Sequence, residues 1–341
     1  MKIFSKNEYS ELKSIIVGRI EYANWPTGDD YFDLMISSST YPKKLKKGKI
    51  DSKIKNKTKK DLDNFIKILQ NRKITVYRPK ILNWEKKNKI FNKFCSGMHS
   101  YSARDLLLVV GNTVIECPTP YICRQNEILA FDDIKISAIK NGCKWIAAPI
   151  ARMSINDYKI KNKKIVLTED YPIFDAANVL KFNDKLLYLI SCTGNYAGAR
   201  WLQKVVGNEF EVITWDGVYS HAHIDSTIAI LNKKTILLNA SRVKNDFQIP
   251  KFLRDKKKIY INDVNVKERD FYRFPYASKW IGLNILSLNP ETVFIDTIQD
   301  NLTGILRKEG FEVLNTPLTH SRTLGGGFHC ITCDLERSNE S

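Results

Sequence analysis

The feature that most limits what this 341-residue chain can fold into is a cadence: apolar run, tight turn, apolar run, helical stretch, third apolar run. Leu106-Leu-Leu-Val-Val, Gly111-Asn112 and Thr113-Val-Ile115 read as strand, turn and strand, followed by helical spacing over 130–141 and by Trp145-Ile-Ala-Ala. The pattern returns with Val179 to Phe182, the turn Asn183-Asp184, Leu186 to Ile190, a helix over 198–206 and Glu211-Val-Ile-Thr. It returns again from Ser226 to Leu238 around Asn232-Lys233, and from Leu283 to Val313 around Asn289-Pro290. An Asn, Asp or Gly turn between apolar runs is a hairpin signal with a steric cause, since such turns need residues that tolerate positive φ. Nearer the start, 11–19 reads as a strand stopped by glycine, 59–70 as a helix and 74–78 as a strand. That makes about five modules.

Composition narrows the class. With 43% hydrophobic and 27% charged residues the chain is an ordinary globular protein, long enough for one large domain or two smaller ones. It has no run near the roughly 18 apolar residues of a membrane span, and Met-Lys-Ile-Phe-Ser-Lys lacks a signal-peptide core, so we expect a cytoplasmic protein with no membrane partner. Seven scattered cysteines fit reduced thiols better than a disulfide framework. The net charge of +17 raises nucleic acid as a partner, but the runs Lys43-Lys44-Leu-Lys46-Lys47 and 53–60 lack the interleaved aromatics of single-strand binders. They read as solvated faces.

The chemistry concentrates in three short stretches. Leu324-Gly-Gly-Gly-Phe-His-Cys330 sets a thiol after a glycine run, where the backbone can come close to a bound molecule. A cysteine nucleophile needs an imidazole and a carboxylate to orient it; His223 in His221-Ala-His-Ile-Asp225 and Asp175 in Phe174-Asp-Ala-Ala-Asn178 supply both. Cys330 and Cys333 spell Cys-x-x-Cys, but no second pair completes a zinc site, so we expect no metal and no cofactor. Because these residues fall in different modules, one closed architecture that brings strand ends to a common axis explains their convergence better than two domains.

The ordered set Ile15-Ile-Val-Gly-Arg19, Arg104-Asp105, Phe174-Asp-Ala-Ala, His223-Ile-Asp225, Ser278-Lys-Trp280 and Gly325-Gly-Gly-Phe-His-Cys330 resembles the amidinotransferase family across essentially the whole chain. That resemblance implies an α/β fold, the five-bladed pseudosymmetric pentein propeller of ββαβ modules around a central channel, shared with arginine deiminases, as a single domain over 1–341. It also implies catalysis by Cys330, His223 and Asp175, with Asp105 and Asp225 holding the guanidinium of L-arginine, Arg242 its α-carboxylate, and Ser278 assisting near the nucleophile. A guanidinium fork matches carboxylates in bidentate geometry. Asp105 and Asp225, if buried, each need a cation, and arginine would be that cation.

The implied reaction is ping-pong: the amidino group passes to Cys330, ornithine leaves, and an acceptor amine collects the group. Members acting on glycine resemble Asn-Pro-Met-His-Ile-Asp, where this chain has Ser220-His221-Ala222-His223-Ile-Asp225. The small Ser220 and Ala222 leave room for a bulkier amine. An arginine deiminase-like hydrolase using water as acceptor and, further off, a nucleic-acid binder are the competing readings; the resemblance also suggests a homodimer.

Overall fold

The computed structural model describes residues 1–37, 47–90, 93–162, 164–266 and 276–339. Among them are five three-stranded sheets of one topology, an antiparallel pair whose second strand is joined in parallel by a third after a crossover. A parallel neighbour cannot be reached by a tight turn, which is why each hairpin is followed by a longer, mostly helical connection.

Leu107–Val110, Thr113–Glu116 and Lys144–Ala147 form one sheet. Val179–Phe182, Lys185–Leu189 and Glu211–Trp215 form the next. Ile228–Ile230, Thr235–Asn239 and Lys257–Ile261 follow, then Leu286–Asn289, Thr292–Asp296 and Glu312–Thr316. In the remaining sheet Leu12–Val17 lies in the middle, parallel to Thr75–Tyr77 and antiparallel to Thr332–Arg337, with Ile16 opposite Cys333. This hairpin is made by strands from opposite ends of the chain, and it closes the ring. The turns leading into the sheets touch in succession: Ala103–Asp105 meets Ala176–Asn178, which meets Ile224–Ser226, which meets Lys279–Leu283, while Thr332–Arg337 returns to Ala103–Asp105.

The helix expected over 59–70 is Ser52–Asn71, about two turns longer, because the Asp51 side chain caps its start by accepting from Lys53 N at 2.7 Å. Its Lys53, Lys57, Lys59 and Lys60 face solvent while Ile54, Leu62, Phe65 and Leu69 are buried, so this lysine run is a solvated helix face. Lys43, Lys44 and Lys46 of the other run lie outside the described residues. Asp132–Lys140 fills most of the stretch expected as a helix over 130–141, after a 3-10 segment over Ile122–Phe131. The sheet beginning at Ile228 departs from the cadence, since its crossover holds two 3-10 turns, Asp246–Gln248 and Lys251–Leu253, and no α-helix. Pro250 sits between them, and a proline inside a helix removes a donor and clashes with the preceding turn.

Phe65 packs edge-on against Phe294 at 4.9 Å and tilted against Phe328 at 5.0 Å, which sets apolar core directly behind the turn carrying Cys330. Burying a ring of this size contributes about 2–3 kcal/mol. The centre of the ring, by contrast, is ionic. Asp334, fully buried, accepts from Lys181 Nζ at 2.7 Å, Arg337 Nε at 3.0 Å and Ser5 Oγ at 2.9 Å on one oxygen, and from Arg104 on the other. Burial alone would favour the neutral acid, but the charges of Lys181, Arg104 and Arg337 outweigh it and hold Asp334 well below the usual carboxylate range.

Candidate active site

Each turn that leads into the first strand of a sheet delivers one or two polar side chains to the same place. They are Asp105 before Leu107, Asp175 before Val179, His223 and Asp225 before Ile228, Asn284 before Leu286, and Cys330 before Thr332. Equivalent positions in a ring of repeated modules face one axis, so residues far apart in sequence meet, as the 3.0 Å hydrogen bond from Tyr101 to the Gly326 carbonyl, 225 positions away, illustrates.

His223 Nε2 lies 2.8 Å from Asp175 Oδ2, and Nδ1 lies 3.6 Å from Asp105 Oδ1. The ligating atoms of Asp105, His223 and Cys330 all fall within 4.8 Å of one another. Burial would discharge the imidazole, yet the charge of Asp105 and the hydrogen bond and charge of Asp175 outweigh it and carry His223 up to about 9. The ring therefore stands as an imidazolium at neutral pH. Cys330 is pushed the other way: burial first, then the charges of Asp225 and Asp105, raise its thiol well above the ordinary range. Its Sγ donates to Asp225 Oδ2 at 3.1 Å and receives the Asn284 amide at 3.1 Å, while Cys330 N donates to Asn284 Oδ1 at 2.9 Å.

The His223 shift carries a stability consequence with a definite sign. An unfolded histidine releases its proton near 6.5 and the folded one near 9, so this contribution is complete below about 6.5, wanes as pH rises, and is gone above about 9. We expect the melting temperature of wild type to exceed that of His223→Asn by a margin that shrinks between pH 6 and pH 9.5. A margin constant with pH would mean that the ring is not charged in the folded state.

Both guanidinium-binding carboxylates of the sequence reading are buried, but each already has a partner from the chain itself. Arg124 Nη1 lies 2.5 Å from Asp105 Oδ2 and its Nε 2.9 Å from Glu127 Oε2; His329 Nδ1 lies 3.2 Å from Asp225 Oδ2. Arg124 and His329 are partners that the sequence reading did not foresee. What remains for a ligand is narrower: Asp105 Oδ1 is buried without a hydrogen-bond partner, as is Asp175 Oδ1. Asp105, His223 and Cys330 are also the one group among the described residues whose donors cluster closely enough to bind a metal ion. The Arg124 cation against Asp105 and the proton held by His223 make that set a poor host for a divalent ion.

These residues form the floor of a cavity of about 440 Å³, lined also by Arg242, Ser278, Ser220 and Ala222. Arg242 is stacked 3.4 Å over the Tyr219 ring and donates to Ser226 Oγ at 2.8 Å and Thr227 Oγ1 at 2.7 Å. Ser278 begins the 3-10 segment Lys279–Leu283; the residue from this module that touches Sγ is Asn284. His221 lines the cavity as a neutral ring, held down to about 4 by burial and by the charges of Arg242 and His223. Sequence reasoning missed Asn284, Arg124 and Glu127. The Arg-x-x-Glu spacing at 124–127 inside an apolar stretch was a signal for the last two, whereas Asn284 carried none.

The glycine run acts differently from what the sequence suggests. A Cβ at Gly325, where φ is +79°, would stand 2.0 Å from the Tyr276 ring, and one at Gly327 would stand 2.6 Å from Asn284 Cβ. The glycines admit side chains of the protein itself against the thiol turn, and the substrate side is left to the cavity. Cys333 points elsewhere, donating to the Leu107 carbonyl at 3.5 Å within an apolar core, and all seven cysteines are unpaired.

A five-sheet ring with a thiol, an imidazolium and flanking carboxylates gathered where its turns converge has the architecture of the pentein-type enzymes. No family model matches the chain. It is 37% identical over 339 residues to inosamine-phosphate amidinotransferase 1 of Streptomyces glaucescens, covering 97% of this chain and 96% of that one. It is 28% identical to the mitochondrial glycine amidinotransferase of Xenopus tropicalis, covering 98% and 83%. The solved inosamine-phosphate amidinotransferase of Streptomyces griseus superposes with a TM-score of 0.93 at 35% identity, over 99% of this chain and 97% of that one. The chain belongs to the amidinotransferases, enzymes that move an amidino group from one amine to another.

Proposed function

We propose that the chain takes the amidino group of L-arginine onto Cys330, releases L-ornithine, and passes the group to an amine that is bulkier than glycine and carries an anionic substituent. The observation behind this reading is the placement of Cys330, His223 and the Asp105 oxygen that accepts no hydrogen bond within reach of one planar cation at the floor of a roomy cavity. In it the guanidinium lies between Asp105 and Asp225, and Arg242 at the cavity wall meets the α-carboxylate.

The thiol is neutral before substrate arrives, and the incoming cation favours the thiolate beside it. Sulfur attacks the central carbon, forming the C–S bond. His223 gives its proton to the departing nitrogen as the C–N bond breaks, leaving a positively charged amidino group on sulfur and a neutral imidazole. The proton shed by the thiol completes the ornithine ammonium. The acceptor enters as a free amine, attacks the same carbon and yields its proton to His223 as the C–S bond breaks, which restores thiolate and imidazolium. Asn284 steadies the leaving sulfur through its amide, and Asp175 holds the ring charged.

Several features favour a large anionic acceptor. Ser220 and Ala222 are short side chains on the cavity wall, and Lys164 lines the same cavity with no acidic partner among the described residues. Similarity is also greater to a relative named for an inosamine phosphate, at 37%, than to one named for glycine, at 28%. Mass spectrometry after exposure to arginine should find one added amidino group on Cys330. Adding amines should then produce ornithine and a guanidino product, fastest with a phosphorylated aminocyclitol and slower with its dephosphorylated form or with glycine. Citrulline or urea formed without dependence on any amine would replace this reading with hydrolysis.

A further inference from the structure

The thiol has a second imidazole in its surroundings that the reaction above does not use. His329 is buried, and both of its ring nitrogens face carboxylates: Nδ1 lies 3.2 Å from Asp225 Oδ2 and Nε2 lies 3.3 Å from Glu8 Oε2. An imidazole donates to two acceptors at once only when both nitrogens carry hydrogen. Asp225 Oδ2 is also the atom that accepts from Cys330 Sγ, so Glu8, His329, Asp225 and the thiol form one continuous line. Glu8 is itself fixed, with Arg104 Nη1 at 3.5 Å and Lys181 Nζ at 3.8 Å, and Arg104 Nε donates to the His329 carbonyl at 2.9 Å. Behind them stands Asp334, bound to both cations.

We propose that His329 and Glu8 form a second imidazole–carboxylate dyad, which positions Asp225 against the thiol and keeps it anionic for the guanidinium. His223 and Asp175 form the first. The two dyads divide the work: His223 faces the cavity and exchanges protons with nitrogen, whereas His329 is sealed under the floor and exchanges none. Asp225 belongs to both environments, lining the main cavity and also a small void that it shares with Glu8, His329 and Ser287. Its low proton affinity, down at about 2 despite burial because of the hydrogen bond and charge of His329 and the charge of His223, agrees with this placement. His329 is a positioning residue in this account, and its contribution is to arginine binding. The groups that face it are Asp225, Glu8 and, through its carbonyl, Arg104; Lys181 and Asp334 lie one contact beyond.

The proposal rests on the reading of arginine as donor, and the test separates the two. His329→Asn keeps a donor toward Asp225 but loses the charge and the link to Glu8; His329→Gln keeps the link to Glu8 and loses the donor to Asp225. We expect the arginine KM to rise about tenfold in the first and more in the second, with kcat changed far less. The deficit should widen as pH falls from 8 to 5, because Asp225 without its cation takes up a proton more readily. Glu8→Gln should shift KM in the same direction by less. If both His329 variants keep the wild-type arginine KM across that pH range and differ only in melting temperature, the side chain merely fills the floor and the proposal is overturned. A readout independent of turnover accompanies it: alkylation of Cys330 by iodoacetamide in the free enzyme. Losing a cation from the line should move the pH midpoint of alkylation upward in both variants, and an unchanged midpoint counts against the dyad. A wild-type protein inert toward arginine, with the midpoint still shifted in the variants, would remove the donor assignment and leave the dyad standing.

Discussion

Replacing Cys330 by alanine should abolish amidino transfer, with a loss on the scale of the roughly million-fold drops that follow removal of a covalent nucleophile. Serine in its place should do almost as badly, since a hydroxyl lacks the nucleophilicity of sulfur toward a resonance-stabilised carbon. Neither variant should show the amidino adduct after arginine is added. The informative control is Cys333→Ala. That thiol lies only three residues away but sits in an apolar core against the Leu107 carbonyl, so its loss should cost about 1–2 kcal/mol of stability and leave most of the turnover. Steady-state rates for both variants, with folding checked by thermal melting, decide the matter. Equal loss of activity at the two positions would return the Cys-x-x-Cys pair to consideration as a functional unit.

Asp334→Asn should produce the largest loss of stability of any single polar substitution in the protein. The change preserves shape but leaves the buried cations Lys181, Arg104 and Arg337 facing a neutral amide, and breaking such a buried cluster at one partner costs about 3–5 kcal/mol. Its urea midpoint should fall far enough to leave a substantial unfolded population at 37 °C. The double variant Asp334→Asn with Lys181→Met should recover part of the loss, because one orphaned cation is removed. A single variant as stable as wild type would mean that water reaches this cluster and screens it.

How much of this was legible in the sequence depends on the range of the interactions involved. Hairpins announced themselves through local turn chemistry: Asn183-Asp184 between two apolar runs gives Val179–Phe182 paired with Lys185–Leu189, as the residues imply. Where Pro250 interrupts the crossover the expected repeat failed, and the proline was there to be read. The strand Leu12–Val17 looked like the start of a module but lacks a hairpin partner of its own, because its partner lies more than 300 positions away and no local pattern encodes that pairing. Cys330, His223 and Asp175 stood out because each sits in a motif of unusual composition, and the structure brings them together. The partners of Asp105 and Asp225 were invisible for a physical reason: the need for a cation beside a buried carboxylate is general, and Arg124, His329 and a bound substrate satisfy it equally well on paper. Asn284, one asparagine among many, acquires its role solely from where the ring places it.

Because Thr332–Arg337 completes a sheet begun by Leu12–Val17, Cys330 is made some 300 residues after the strand beside which it will sit, and its seat waits unfilled in the meantime. At elongation rates of roughly 5–20 residues per second, the nascent chain spends tens of seconds without a reactive thiol in place. A premature stop shortly before residue 330 would therefore yield a chain that keeps Asp105, Asp175, His223 and Asp225 but lacks both Cys330 and the strand that closes the ring.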